Sequence, residues 1–138
     1  MERRRRLYWH GIFLFFLSLL SGVFMQTMTN PRMGLAAHTS GVASGTFLAV
    51  LGALWSELRL GARAEGAACW LAVYGAYAGW AAVQLGAIFG TSRMTPIAGA
   101  GHTAPAYQEA IVNFGLATGA AALLVACTLL LWGLRGRR

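Results

Sequence analysis

The sequence GIFLFFLSLLSGVFM at residues 11–25 decides the fold class, because it is a continuous apolar run without a charged residue. A helix needs about 20 mostly apolar residues to cross the hydrocarbon of a bilayer. With its flanking residues the run predicts a first transmembrane helix over about residues 8–27. Together with the arginines before it, the run is also compatible with a signal peptide, but it is long and no clear cleavage site follows it.

Three further apolar stretches are long enough to span a membrane, at about residues 38–58, 67–90 and 108–134. They are continuous and do not show the alternation of a barrel strand. Because only helices and closed barrels satisfy their backbone in lipid, these stretches predict helices. The sequence therefore predicts a single all-α domain over residues 1–138, an integral membrane bundle of four transmembrane helices.

The composition excludes most soluble classes of protein. Hydrophobic residues make up 57% of the chain and charged residues 11%, and the mean hydropathy is +0.57. A soluble domain carries about 25% charged residues. We therefore exclude an ordinary globular enzyme, a disordered tail and a nucleic-acid binder, although the net charge is +7.

The eleven arginines predict the orientation of the chain, since cytoplasmic flanks of membrane helices are rich in basic residues. In a four-span chain only Arg32 and Arg93 lie on one side. The other nine lie on the opposite side: Arg3, Arg4, Arg5, Arg6, Arg59, Arg63, Arg135, Arg137 and Arg138. We expect both termini in the cytoplasm and the protein in a bacterial-type inner membrane.

His38 is the first candidate site residue, because polar residues in spans are costly and are usually functional or paired. Gly41 and Gly45 follow on the same helix face, and Ser44 is close to that face. One interpretation is a hydrogen-bonded histidine at the membrane interface, beside glycines that serve helix packing. The other is an axial ligand of haem iron, with glycines that let a flat macrocycle approach the helix.

His102 and Glu109 form a second candidate cluster. His102 lies in the loop TPIAGAGHTAPAYQEA at residues 95–110, and long ordered loops are often functional. Glu109 is equally explained as a favourable charge at a helix N-terminus. Cys69 and Cys127 show no spacing typical of a metal site, so we interpret them as packing residues.

Four motifs run in order along nearly the whole chain. They are NPRMGLAAHTSG at residues 30–41 with GTFLAVLG at 45–52, WLAVYG at 70–75 with Trp80 after it, PIAGAGH at 96–102, and QEA at 108–110. In this order they resemble the hydroxylaminobenzene mutase family. That resemblance implies conversion of N-phenylhydroxylamine to 2-aminophenol by an intramolecular hydroxyl shift, on a small aromatic substrate that partitions into membrane lipid.

The family is in turn similar to the styrene oxide isomerases, which are also small four-span proteins. There, a histidine that opens the second span binds the iron of haem b, in a trimer with haem between neighbouring subunits. This similarity implies that His38 is the haem ligand, beside Gly41, Ser44 and Gly45, and that the chain forms a homotrimer. Those isomerases have Asn at the position of Ser44, which counts more against styrene oxide as the substrate than against haem. Gly79 and Val83 depart in the same way, from an Asn and a Tyr.

The mechanism that the resemblance suggests uses ferric haem as a Lewis acid that weakens the N–O bond. In this hypothesis Tyr74 and Tyr77, with Trp80, face the positive charge that develops on the ring. His102 or Glu109 then accepts the ring proton.

Three alternatives stay open at the level of sequence. One is an epoxide isomerase, which a comparison of phenylhydroxylamine and styrene oxide as substrates distinguishes. Another is a haem subunit for electron transfer, which needs a second axial ligand such as His102, Met25, Met28 or Met33. The last is a small transporter without a cofactor, which would be colourless when purified.

Overall fold

The computed structural model describes residues 2–135, and these fold into helices joined by short turns, with no strand in that range. The helices, in chain order, are α1 (Glu2–Phe24), α2 (Pro31–Leu54), α3 (Ala62–Phe89), the single turn α4 (Pro96–Gly99) and α5 (Ala106–Leu134). Short 3₁₀ turns, Met25–Thr27 and Trp55–Glu57, extend α1 and α2. Among the described residues, α1, α2, α3 and α5 are each long and apolar enough to cross a membrane. The predicted all-α membrane bundle is thereby confirmed.

The helices begin two to seven residues before the predicted spans, and at α2 the cause is local capping, which hydropathy does not detect. The Oδ1 atom of Asn30 accepts the N–H of Met33 at 3.2 Å, and Pro31 occupies the first turn of α2. At the same end of the bundle α3 stops at Gly90, whose φ of 74° only glycine adopts readily. The predicted loop before the last span contains the extra turn α4.

The four long helices pack as two pairs, α1 with α2 and α3 with α5, and contacts between α2 and α3 join the pairs. Glycines set both close approaches. A Cβ atom on Gly45 would lie 2.7 Å from the backbone oxygen of Gly11, and one on Gly119 would lie 2.9 Å from the backbone nitrogen of Gly79. Because lipid provides no hydrophobic drive between helices, such small-residue contacts hold the bundle together.

One end of the bundle carries the start of α1, the α2–α3 connection and the end of α5. Arg3 forms an ion pair with Glu65 at 2.6 Å, and the backbone N–H of Arg59 donates to the oxygen of Gly133 at 2.9 Å. The arginines that were assigned to one side of the membrane therefore lie at one end of the bundle, for those within residues 2–135. Arg137 and Arg138 lie outside the described residues. The assignment of this end to the cytoplasm stays a prediction.

Candidate functional site

His38 lies in the groove between α1 and α2, partly buried, with its Nδ1 atom 2.7 Å from the backbone oxygen of Ser18. A carbonyl oxygen only accepts hydrogen bonds, so Nδ1 carries the proton. In the neutral imidazole the lone pair is then on Nε2, and within residues 2–135 this atom has no hydrogen-bond partner. Metal-binding histidines commonly have this arrangement, with one nitrogen held by a backbone carbonyl and the other free to coordinate.

Two glycines make room for this imidazole and for the side chain of Ser18, the residue whose backbone oxygen is the acceptor. A Cβ atom on Gly22 would lie 2.6 Å from Nδ1 of His38, so the ring rests directly on the α1 backbone. A Cβ atom on Gly41 would clash with the hydroxyl of Ser18 and with Cδ1 of Trp80. The sequence SLLSG at residues 18–22 thus supplies both the acceptor and the space for the ring.

The structure uses the glycines near His38 for packing between helices. Gly41 and Gly45 are buried, and their Cα atoms face Ser18 and Trp80 in one case and the α1 backbone in the other. A macrocycle has no room on those faces, so the structure favours the packing interpretation over the predicted role in cofactor binding. Ser44 is partly buried, and its hydroxyl makes no hydrogen bond among the described residues.

A chain of polar side chains beside His38 was not identified from the sequence. Ser18 and Ser21, one helical turn apart on α1, are both buried. The hydroxyl of Ser21 donates to Oε1 of Gln84 on α3, and Nε2 of Gln84 donates to the sulfur of Met28 at 3.4 Å. Nearby, Nε1 of Trp80 is buried and has no partner within residues 2–135. The spacing of the two serines in an otherwise apolar run is the signal that points to this network.

His102 and Glu109 both hold the loop between α3 and α5. Nδ1 of His102 donates to the oxygen of Gly99 at 2.9 Å, within the same turn. The buried carboxylate of Glu109 accepts the backbone N–H groups of Ser92 at 2.9 Å and of Arg93 at 3.1 Å. These contacts bring both residues to one loop but give them structural partners, and no hydrogen bond joins them to each other.

Asn30 fastens this loop to the start of α2, a role that the sequence did not indicate. Its side chain is 1% exposed, and Nδ2 donates to the backbone oxygens of Ala98 at 2.9 Å and Gly99 at 3.1 Å. His38 lies eight residues further along α2, about 12 Å along the helix axis. The loop cluster is therefore at the end of the bundle and does not adjoin His38 within one chain.

Tyr74 and Tyr77 are likewise not brought together with His38. The hydroxyl of Tyr77 lies 3.3 Å from both Nδ1 and the backbone oxygen of His10 on α1. His10 precedes Ser18 by eight residues, again about 12 Å along a helix. Tyr74 is exposed on the outer surface, where its hydroxyl is 2.8 Å from that of Thr118 on α5. Of the three aromatic residues considered from the sequence, Trp80 is the one that packs against the helix face next to His38.

The described residues offer few side chains that could bind a metal ion. No group of three or more His, Cys, Asp or Glu side chains suited to a metal ion occurs within residues 2–135. Cys69 and Cys127 are both unpaired in that range, in agreement with their interpretation as packing residues. A single imidazole with a free Nε2 is suited to a cofactor that brings its own metal and its remaining ligands.

Comparison with known proteins identifies close relatives over most of the chain. The sequence is 48% identical to hydroxylaminobenzene mutase HabB of Ectopseudomonas oleovorans over 132 residues, which cover 95% of this chain and 80% of that protein. It is 38% identical to hydroxylaminobenzene mutase HabA of the same organism over 125 residues, 90% of this chain and 93% of the relative. No solved structure matches the chain.

The family comparison covers all four long helices. Residues 3–135 match the family model described as styrene oxide isomerase. Together with the two relatives this match identifies an isomerase and does not favour the transporter and electron-transfer alternatives. The chain belongs to the styrene oxide isomerase family.

Proposed function

We propose that this isomerase converts arylhydroxylamines to 2-aminophenols inside the membrane, with haem b bound through His38. The names of the relatives at 48% and 38% identity support the substrate class. The single structural observation that supports the cofactor is the 2.7 Å contact between Nδ1 of His38 and the oxygen of Ser18, which leaves the Nε2 lone pair free. The arginine distribution supports an inner-membrane location with both termini in the cytoplasm.

The residues around His38 fit a haem held by one protein ligand. The imidazole is fixed on one nitrogen, as in other metal-binding histidines, and Gly22 keeps the ring close to α1. The sulfur of Met28 already accepts a hydrogen bond from Gln84, and His102 lies at the end of the bundle. His38 is therefore the residue that would hold the haem iron, and ferric haem bound there would supply a Lewis acid for the N–O bond of the substrate.

The site is incomplete within a single chain, which supports the homotrimer that the resemblance implied. His38 is only partly buried between α1 and α2, so one chain does not enclose it, while the faces of Gly41 and Gly45 are closed off by packing. A neighbouring subunit against this groove would exclude water from the substrate. Exclusion of water favours return of the oxygen to the ortho carbon over capture of the ring by solvent.

The remaining chemistry falls to fewer side chains than the sequence suggested. Trp80, next to Gly41, takes the place of Tyr74 and Tyr77 as the aromatic residue near His38. Its indole N–H is a buried donor without a partner in the described part of the chain, so a small displacement would let it bind a substrate oxygen. We assign no proton transfer to Glu109, because its carboxylate already accepts two backbone N–H groups.

The test compares two histidine variants, His38→Ala and His102→Ala, as detergent-purified protein. Each is assayed for the Soret absorption of haem and for conversion of phenylhydroxylamine to 2-aminophenol. We expect His38→Ala to lose the Soret band and at least about 100-fold in activity, the upper range for perturbed metal sites, and His102→Ala to keep both. A His38→Ala protein that keeps its colour and activity would overturn the haem proposal. A wild-type protein that is active but colourless would overturn it too, without affecting family membership.

An epoxide isomerase is the second candidate function, and the description of the matching family as styrene oxide isomerase favours it. The two candidates separate when phenylhydroxylamine and styrene oxide are supplied side by side to the same preparation. We expect phenylhydroxylamine to have the higher kcat/KM. The opposite ranking would assign the chain to the epoxide substrates.

A further inference from the structure

The arginines at the start of α1 differ in what they contact. Arg3 pairs with Glu65 at 2.6 Å, and the guanidinium of Arg6 lies 5.6 Å from the centre of the Trp70 ring. Both therefore fasten α1 to α3 by contacts within the protein. A cation used in this way is less available to a ligand.

Arg5 has no hydrogen bond, ion pair or ring contact within residues 2–135, although it is exposed at the same end of the helix. It stands at the mouth of a surface groove of about 490 Å³ with almost wholly apolar walls. The groove is lined by Arg5, Tyr8, Trp9, Ile12, Phe13 and Phe16. These positions recur every three or four residues, so the groove follows one face of α1.

The walls of the groove are aromatic and exposed. The rings of Trp9 and Phe13 stack with centroids 4.9 Å apart, and Trp9 is 59% and Phe16 52% exposed. The guanidinium of Arg4 lies 5.6 Å from the centre of the Tyr8 ring, which places a second positive charge near the mouth. Tryptophan and tyrosine at this level are typical of the membrane–water interface.

The length of the groove corresponds to one leaflet of a bilayer. Eleven residues separate Arg5 from Phe16, a rise of about 16 Å along the helix. The hydrocarbon core of a bilayer is about 30 Å thick, so one leaflet contributes half of that. The groove is positively charged at one end and apolar along the length of one leaflet. It is therefore complementary to a phospholipid with a negatively charged headgroup.

We propose that this face of α1 binds one anionic phospholipid, with its phosphate at Arg5 and an acyl chain along Ile12 and Phe16. The planar guanidinium forms paired hydrogen bonds with phosphate oxygens, and Arg4 adds attraction at the mouth. A second copy of this chain is the other possible occupant. A second copy carries the same net charge of +7, so a phosphate is more complementary to the unpaired Arg5.

The test uses the full chain in detergent, with phosphatidylglycerol or phosphatidylcholine added at equal concentration. Bound lipid is counted by native mass spectrometry in the wild type, in Arg5→Gln and in Arg59→Gln. Arg59 is the matched control, since it is an exposed arginine at the same end of the bundle and outside the groove. We expect one phosphatidylglycerol to be retained by the wild type and by Arg59→Gln, and to bind about fivefold more weakly to Arg5→Gln.

A second variant, Ile12→Trp, fills the groove without a change of charge. We expect it to lose the retained lipid although Arg5 is intact. Equal retention in Ile12→Trp and the wild type, or equal losses in Arg5→Gln and Arg59→Gln, would overturn the site in favour of general charge attraction. A lower oligomeric mass of lipid-free Arg5→Gln would also overturn it, because the groove would then be an interface between copies of the chain.

Discussion

His38 and His102 both donate from Nδ1 to a backbone carbonyl, but the two carbonyls stand in different relations to the chain. The acceptor of His38 is Ser18, on another helix and twenty residues away, at 2.7 Å. The acceptor of His102 is Gly99, three residues away in the same turn, at 2.9 Å. The first bond orients an imidazole between two helices, and the second closes a loop on itself.

The surroundings of the two imidazoles make the same distinction. Nε2 has no protein partner within residues 2–135 in either imidazole, but His38 lies where α1 and α2 approach closely. Around His102 the polar groups of the loop serve backbone contacts, with Glu109 and Asn30 each occupied by two N–H or carbonyl groups. The polar groups around His102 therefore stabilise the loop, whereas the close helix contact around His38 orients one imidazole inside the bundle.

The largest expected effect is that of Gly45→Ala, which disrupts the close contact between α1 and α2 next to His38. The new Cβ would lie 2.7 Å from the Gly11 oxygen and from the Phe15 nitrogen, and neither backbone atom can rotate away. We expect the free energy of unfolding to fall by about 3 kcal/mol, measured by denaturant unfolding in detergent. The control is Gly79→Ala, where a Cβ meets nothing within 4 Å. Similar stabilities for the two variants would contradict the close contact of α1 and α2.

Gly22→Ala tests the orientation of His38 more directly. Its Cβ would lie 2.6 Å from Nδ1 of His38, so the imidazole must turn away from the Ser18 oxygen. If His38 holds the cofactor, we expect haem to be retained about 10-fold to 100-fold less tightly, measured by haem transfer to an acceptor protein. Gly61→Ala, where φ is -69° and a Cβ meets nothing within 4 Å, is expected to leave haem retention unchanged. Equal haem retention in both variants would contradict the proposal that His38 binds the cofactor.

Glu109→Gln tests the loop between α3 and α5. We expect a smaller effect, on stability and not on haem retention. The amide keeps one accepting oxygen but turns an NH₂ group towards a backbone N–H, so one charge-assisted bond is lost. We expect a loss of about 2 kcal/mol in unfolding free energy, with the kcat of the folded protein unchanged. A tenfold fall in kcat at unchanged stability would instead support the hypothesis from the sequence that Glu109 accepts the ring proton.

The fold was predictable because hydropathy is a property of single residues summed over a window. The runs at residues 11–25 and 108–134 are apolar in any arrangement, and both form spanning helices. Helix starts were not predictable to the same accuracy, because α2 begins where Asn30 caps it and not where the apolar run begins. The extra turn α4 depends on contacts of Asn30 with residues nearly seventy positions later.

The site was predictable only as far as a single side chain. His38 was identified by its residue type and by its place in a motif, neither of which requires knowledge of its neighbours. Its acceptor on Ser18 depends on the register of α1 against α2, which the contact of Gly45 with the α1 backbone sets. The two N–H partners of Glu109 are backbone groups of another segment, so its side chain gives no sequence signal for them.

The smallest expected effect is that of His102→Ala. Its Nδ1 bond is lost, but the Gly99 oxygen still accepts from the backbone N–H at residue 102 at 3.0 Å and from Nδ2 of Asn30 at 3.1 Å. We expect a loss of about 1 kcal/mol in unfolding free energy, and an unchanged kcat for phenylhydroxylamine. The decisive measurement is the ratio of the two effects. A purely local bond lowers stability alone, whereas a tenfold fall in kcat at full stability would require the imidazole of His102 to meet the substrate, and the contrast with His38 would then fail.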